Sequence, residues 1–247
     1  MVERLKSVLK TVQLRLTLKS LIFAGLLLWV RVSEFSALPL FVFLLAAFVF
    51  YFRNHLQNNL ENFYSFLVLI AASLYSISLL NHFEFLLLAV LFFSSLFYIS
   101  LGIKELAFTH RFEWNYIKNL SLIYLVFISY FMSDKYNFFY IKFLAVFVVL
   151  FLITREWLSW LYQNFPKRFT LSASIFSFLM FQILWAVSLL PLGFINSATL
   201  MTVIFYLGID FLINHFRGSI NKKLIIKNSI VLVASFLTIF FLTNWNI

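Results

Sequence analysis

Long apolar runs broken by short polar links dominate the chain, and their length is the first structural signal. A helix rising 1.5 Å per residue needs about 20 apolar residues to cross a hydrocarbon core of about 30 Å, with roughly 17–25 tolerated. Nine runs approach that length: 17–33, 38–53, 62–80, 85–103, 117–133, 138–154, 170–190, 198–213 and 228–243. They are continuous rather than alternating, which argues against barrel strands of about 10 residues. The pattern predicts an all-α, polytopic membrane protein with nine transmembrane helices, arranged as four hairpins plus one.

The polar links set the direction. With the N-terminus in the cytoplasm, sixteen of the 19 Lys and Arg residues fall on the cytoplasmic side, and only Arg31, Lys135 and Lys142 fall in outer positions. Positively charged loops stay inside, so this asymmetry supports both the span count and an external C-terminus. The outward links "EFSA", "NHFE", "DKYN" and "PLGFINS" are short. The inward links "KELAFTHRFEWNYIK" and "REWLSWLYQNFPKRF" are longer and basic.

Residues 1–19 carry Arg4, Lys6, Lys10, Arg15 and Lys19, with Leu5, Val8, Leu9, Val12 and Leu16 on one helical face. A basic amphipathic segment of this kind suits the surface of an anionic leaflet. The organisation expected is therefore an interfacial helix at 1–19 followed by one transmembrane domain at 20–247. "SLIFAGLLLWV" could serve as a signal-peptide core, but Arg31 and Glu34 intrude where a small-x-small cleavage site would lie, so an uncleaved first helix is expected.

Composition agrees. The chain is 63% hydrophobic and 11% charged, whereas soluble domains run about 45–50% and about 25%. The net charge of +10 follows from the basic inner links, which removes the usual inference of a nucleic-acid partner. The chain has no cysteine, and this excludes disulfides, thiolate catalysis and cysteine-based metal sites. The four histidines, His55, His82, His110 and His215, stand singly, so no metal and no cofactor is expected. Phosphate-loop, dinucleotide, zincin and nucleophile-elbow motifs do not occur.

Ionisable groups inside spans are costly and therefore informative. Arg31 and Glu34, three apart, are expected to pair at the outer end of the first helix. Arg155 and Glu156 beside Trp157 and Trp160 fit an interfacial aromatic belt. In the eighth segment, Thr199, Thr202, Tyr206 and Asp210 recur at helical spacing on one face, with Asn214 one turn further on; Gln182 lies on the seventh. These residues form a candidate ligand or ion seam among the last three helices. Plain interhelical hydrogen bonding is the competing reading. Arg4, Lys6, Lys10, Arg15, Arg217, Lys222 and Lys223 are candidate contacts for lipid headgroups.

"REW" (155–157), "FQILWAVSLLPLGFINSATL" (181–200) and "HFRGSINKKLIIKN" (215–228) give the last 95 or so residues a resemblance to uncharacterised multi-pass membrane proteins of candidate-phylum, reduced-genome bacteria. That resemblance implies residence in a bacterial cytoplasmic membrane and no particular activity. The functional expectation is a non-catalytic membrane component that binds a partner protein or lipid, with anionic lipids at the cytoplasmic face. A transporter using the Asp210 seam and an intramembrane lipid-modifying enzyme are the alternatives. Proline falls only at span ends or in links (Pro39, Pro166, Pro191), so the broken helices common in transporter sites are not expected.

Overall fold

A computed structural model describes residues 2–52, 62–105, 107–133, 139–161 and 166–242; within them, side chains are described for 12–52, 62–105, 107–133, 140–160, 167–239 and 241. The described residues form nine helices and no strand: α1 (Val2–Val32), α2 (Ala37–Phe52), α3 (Phe63–Leu79), α4 (Phe83–Lys104), α5 (Arg111–Met132), α6 (Phe139–Leu161), α7 (Pro166–Ser188), α8 (Phe194–Phe216) and α9 (Lys222–Leu242). Each apolar segment of the sequence coincides, over most of its described residues, with one of them, because an apolar run without internal proline satisfies its own backbone in a membrane as a helix.

Among the described residues, four helical segments are long and apolar enough to cross a membrane: Val12–Val32, Phe83–Lys104, Lys167–Ser188 and Phe194–Phe216. They mark the chain as a membrane protein. α2 and α3 are apolar but shorter, at 16 and 17 residues. α1 runs unbroken through residues 19 and 20, so the basic N-terminal stretch and the first apolar segment are one helix.

The chain divides into two compact units, Met1–Asn119 and Leu120–Ile247, with the boundary inside α5. In the first unit, α1 packs along α2 and α4, and α3 lies against α4. Phenylalanine fills the space between them. Phe23 stacks on Phe97 with ring centroids 4.2 Å apart and meets Phe43 at 5.1 Å, and all three are buried. Such aromatic pairs contribute about 0.5–1.5 kcal/mol beyond the area they bury.

The α1–α2 link corrects one expected ion pair. Glu34 and Phe35 adopt left-handed backbone angles, φ 52° and 60°, and the Phe35 amide bonds back to the Val30 carbonyl at 3.0 Å. This turn takes Glu34 off the helical spiral, so three-residue spacing no longer brings it to Arg31. Arg31 instead donates to the Leu80 carbonyl at 3.0 Å, satisfying a backbone acceptor just past the end of α3.

In the second unit, α6 lies along α7, α7 against α8, and α8 against α9. Leu158, Phe169 and Ala173 form a core patch, flanked by Phe151, Leu212 and Phe216. Trp157 is not a belt residue. It is 1% exposed and its ring lies 5.8 Å from Phe205. Residues 153, 154, 157 and 158 share the buried face of α6, and a tryptophan on that face fills core volume instead of meeting the headgroups.

Candidate functional site

Gly208 orients the polar stripe of α8. A β-carbon there would lie 2.5 Å from Phe176 Cε2, so the absence of a side chain lets α7 and α8 approach closely. Asp210 lies two residues on, about 200° around the helix at 100° per residue, and so faces away from α7. It meets α9. Asn228 Nδ2 donates to Asp210 Oδ2 at 3.1 Å, and Asn214 Nδ2 donates to Oδ1 at 3.1 Å. Lys227 Nζ stands 3.6 Å from Oδ2.

The turn between the two helices holds this group in register. Gly218, with φ +64°, ends α8 in a left-handed cap, its amide donating to the His215 carbonyl and the Ser219 amide to the Asn214 carbonyl. Ser219 Oγ then donates to Asn214 Oδ1 at 2.8 Å, and Asn221 Oδ1 accepts the Leu224 amide at 2.8 Å to start α9. A hydrogen-bonded chain therefore runs from Ser219 through Asn214 to Asp210, where Asn228 closes it. Asn228 is 2% exposed, and it is one of only two described residues of α9 that are buried.

The rest of the expected seam disperses. Thr199 and Thr202 donate to the Ile195 and Ala198 carbonyls of their own helix, at 2.8 and 2.7 Å, as helical threonines commonly do. Tyr206 is half-buried one turn before Asp210, and Gln182 is exposed on α7. Of the expected seam residues, Asp210 and Asn214 come together in an α8–α9 clasp. Arg217, Lys222 and Lys223 lie exposed at the α8–α9 turn, while the side chains of Arg4, Lys6 and Lys10 fall outside the described residues.

Arg15 has a defined partner in the first unit. Its Nη2 lies 2.9 Å from Glu105 Oε2, and Lys19 Nζ lies 2.5 Å from Oε1, with the Glu105 side chain only 4% exposed. Next to Glu105, Lys104 donates to the Tyr51 carbonyl at 2.5 Å and sits 3.7 Å above the Tyr51 ring, a cation–π contact. Lys118, fully buried, donates to Ser65 Oγ at 2.6 Å. One turn away on α5, Asn115 is 1% exposed, with neither amide atom hydrogen-bonded among the described residues.

In the sequence these lysines count only toward the basic cytoplasmic side, which hides their partners. The spacing Asn115, Lys118, Asn119 (i, i+3, i+4) was the one available signal. No group of three His, Cys, Asp or Glu able to hold a metal occurs among the described residues. No family model, curated protein or solved structure matches the chain.

Proposed function

We propose that the protein is a nine-span integral membrane protein of a bacterial cytoplasmic membrane, N-terminus inside and C-terminus outside, that acts as a non-catalytic component binding a partner protein or lipid. The observation that carries this reading is the closure of the Asp210 carboxylate. One oxygen accepts from Asn214 and the other from Asn228, with Lys227 alongside. A carboxylate engaged in this way acts as an interhelical fastener. Carrying an ion or proton through the clasp would require breaking it.

Glu105 supports the same reading, since its two oxygens are taken by Lys19 and Arg15. The exposed faces support binding. On α9, Ile226, Ile230, Val233, Phe236 and Phe241 are exposed, leaving a broad apolar surface for lipid or a neighbouring helix. Transport is the second reading, favoured by the buried Asn228 Oδ1, an acceptor without a hydrogen-bond partner among the described residues beside Asp210.

Native mass spectrometry of the tagged chain, extracted gently from its own membrane, tests the proposal. A second polypeptide or a discrete lipid at fixed stoichiometry is expected. Solute flux in proteoliposomes that disappears in Asp210→Asn would overturn it in favour of transport.

A further inference from the structure

A groove of about 380 Å³ runs along the second unit between α7 and α8. Its rim on α7 is a ridge of Leu171, Ile175 and Leu179, each about half exposed or more, spaced four residues apart so that they line up along the helix. Its floor includes Phe176, Leu212 and Phe216, and the last two pack on the buried Leu158–Phe169–Ala173 patch. The floor is therefore held by the core, while the ridge side stays open.

Arg168 and His215 stand at one end of the groove. Both are exposed, and neither has an ion pair among the described residues. Asp210, the acidic residue nearest His215 in sequence, is bound to Asn214, Asn228 and Lys227. The groove thus has a largely apolar wall and a cationic end, with no carboxylate among the described residues that line it.

Length decides the occupant. Arg168 to Leu179 is eleven residues, or about 16 Å of helix, close to half of a hydrocarbon core of about 30 Å. A groove one leaflet deep, apolar along its length apart from Ser172 and positive at its end, matches an anionic glycerophospholipid. We propose that it holds one such lipid of the cytoplasmic leaflet, its phosphate between Arg168 and His215 and one acyl chain along the Leu171–Ile175–Leu179 ridge. This rests on the membrane topology proposed above and gives the lipid-binding half of that reading a location.

The test is a lipid titration of the full chain in detergent, read by native mass spectrometry, with phosphatidylglycerol and phosphatidylcholine as probes. Phosphatidylglycerol is expected to bind first, at one equivalent and at least about tenfold more tightly than phosphatidylcholine. Arg168→Gln/His215→Gln is expected to abolish that preference, and Ile175→Trp, which fills the channel, to weaken both lipids. Lys222→Gln/Lys223→Gln removes at least as much charge from the nearby turn and should leave the first equivalent unchanged. Glycerol phosphate, a headgroup without a chain, should not compete.

Equal loss in the two double variants, or competition by glycerol phosphate, would show a charged surface or a simple anion site and overturn the proposal. All four residues are exposed, so folding is checked by an unchanged melting temperature. If the wild-type chain keeps a partner polypeptide from its own membrane while the groove variants titrate like wild type, the lipid site fails and the membrane-component reading stands.

Discussion

Replacing Gly208 with alanine introduces a methyl group at the closest approach of α7 and α8. That carbon would lie 2.5 Å from Phe176 Cε2, 2.9 Å from Cζ and 3.3 Å from Met180 Cε. Carbon atoms prefer about 3.5–4.0 Å, so the ring must retreat by about 1 Å. Retreat is opposed on the core side, where the ring, 7% exposed, is set edge-on against Phe205 at 5.4 Å and Phe205 in turn meets Trp157; only the groove side is open. Overpacking of this kind costs about 1–3 kcal/mol, against a helix-propensity gain of up to about 1 kcal/mol for removing glycine. The expected net loss is about 0–2 kcal/mol against the wild type, and about 1–3 kcal/mol against a glycine-to-alanine change that gains the same propensity without the clash.

Gly25→Ala is the matched control, because nothing lies within 4 Å of a β-carbon there, and it should be neutral or stabilising. Reversible denaturation in mixed detergent and dodecyl sulfate micelles, followed by helicity, provides the measurement. Phe176→Leu on its own should destabilise. Combined with Gly208→Ala it should cost less than the sum, with a coupling of about 0.5–3 kcal/mol. Gly208→Ala as stable as Gly25→Ala, or strict additivity in the cycle, would refute the close-packing argument.

Glu105→Gln should destabilise the first unit by about 2–3 kcal/mol in the same titration. It strands the mostly buried Lys19, at the lower end of the cost of breaking a buried pair because Arg15 is half-exposed. Glu105→Met with Lys19→Met should recover part of that loss; no recovery would mean the pair is not the cause. Asn228→Ala removes one hydrogen bond to Asp210 and should cost about 0.6–1.7 kcal/mol, with no added effect in an Asp210→Ala background if the clasp is real. A C-terminal reporter should be active only outside the cytoplasm, and activity inside would overturn the proposed odd number of spans.

The all-helical class and the positions of the helices were legible because helix formation in an apolar segment is local: each amide finds its acceptor four residues back. Half of the clasp was legible for the same reason, since Asp210 and Asn214 are one turn apart whatever surrounds them. For Thr199 and Thr202, which bond back to their own helix, regular spacing shows a shared face but not whether a hydroxyl reaches across to another helix or back to its own. The pattern alone pairs Arg31 with Glu34, sets Trp157 in an interfacial belt and counts Lys118 among the cytoplasmic charges. Each depended on which way its helix turned, or on a backbone turn that moved its neighbour.

Helix rotation is decided by partners far away in sequence. Gly208 against Phe176 sets the face that α8 shows to α7, and only then does Asp210 meet Asn228. Phe23 on Phe97 holds α1 against α4, and only then do Lys19 and Arg15 reach Glu105. The sequence by itself determined the elements, their apolar lengths and the asymmetry of charge that proposes their direction. The tertiary structure decided which polar groups face each other, because side-chain packing between helices, which no local pattern encodes, sets their rotation.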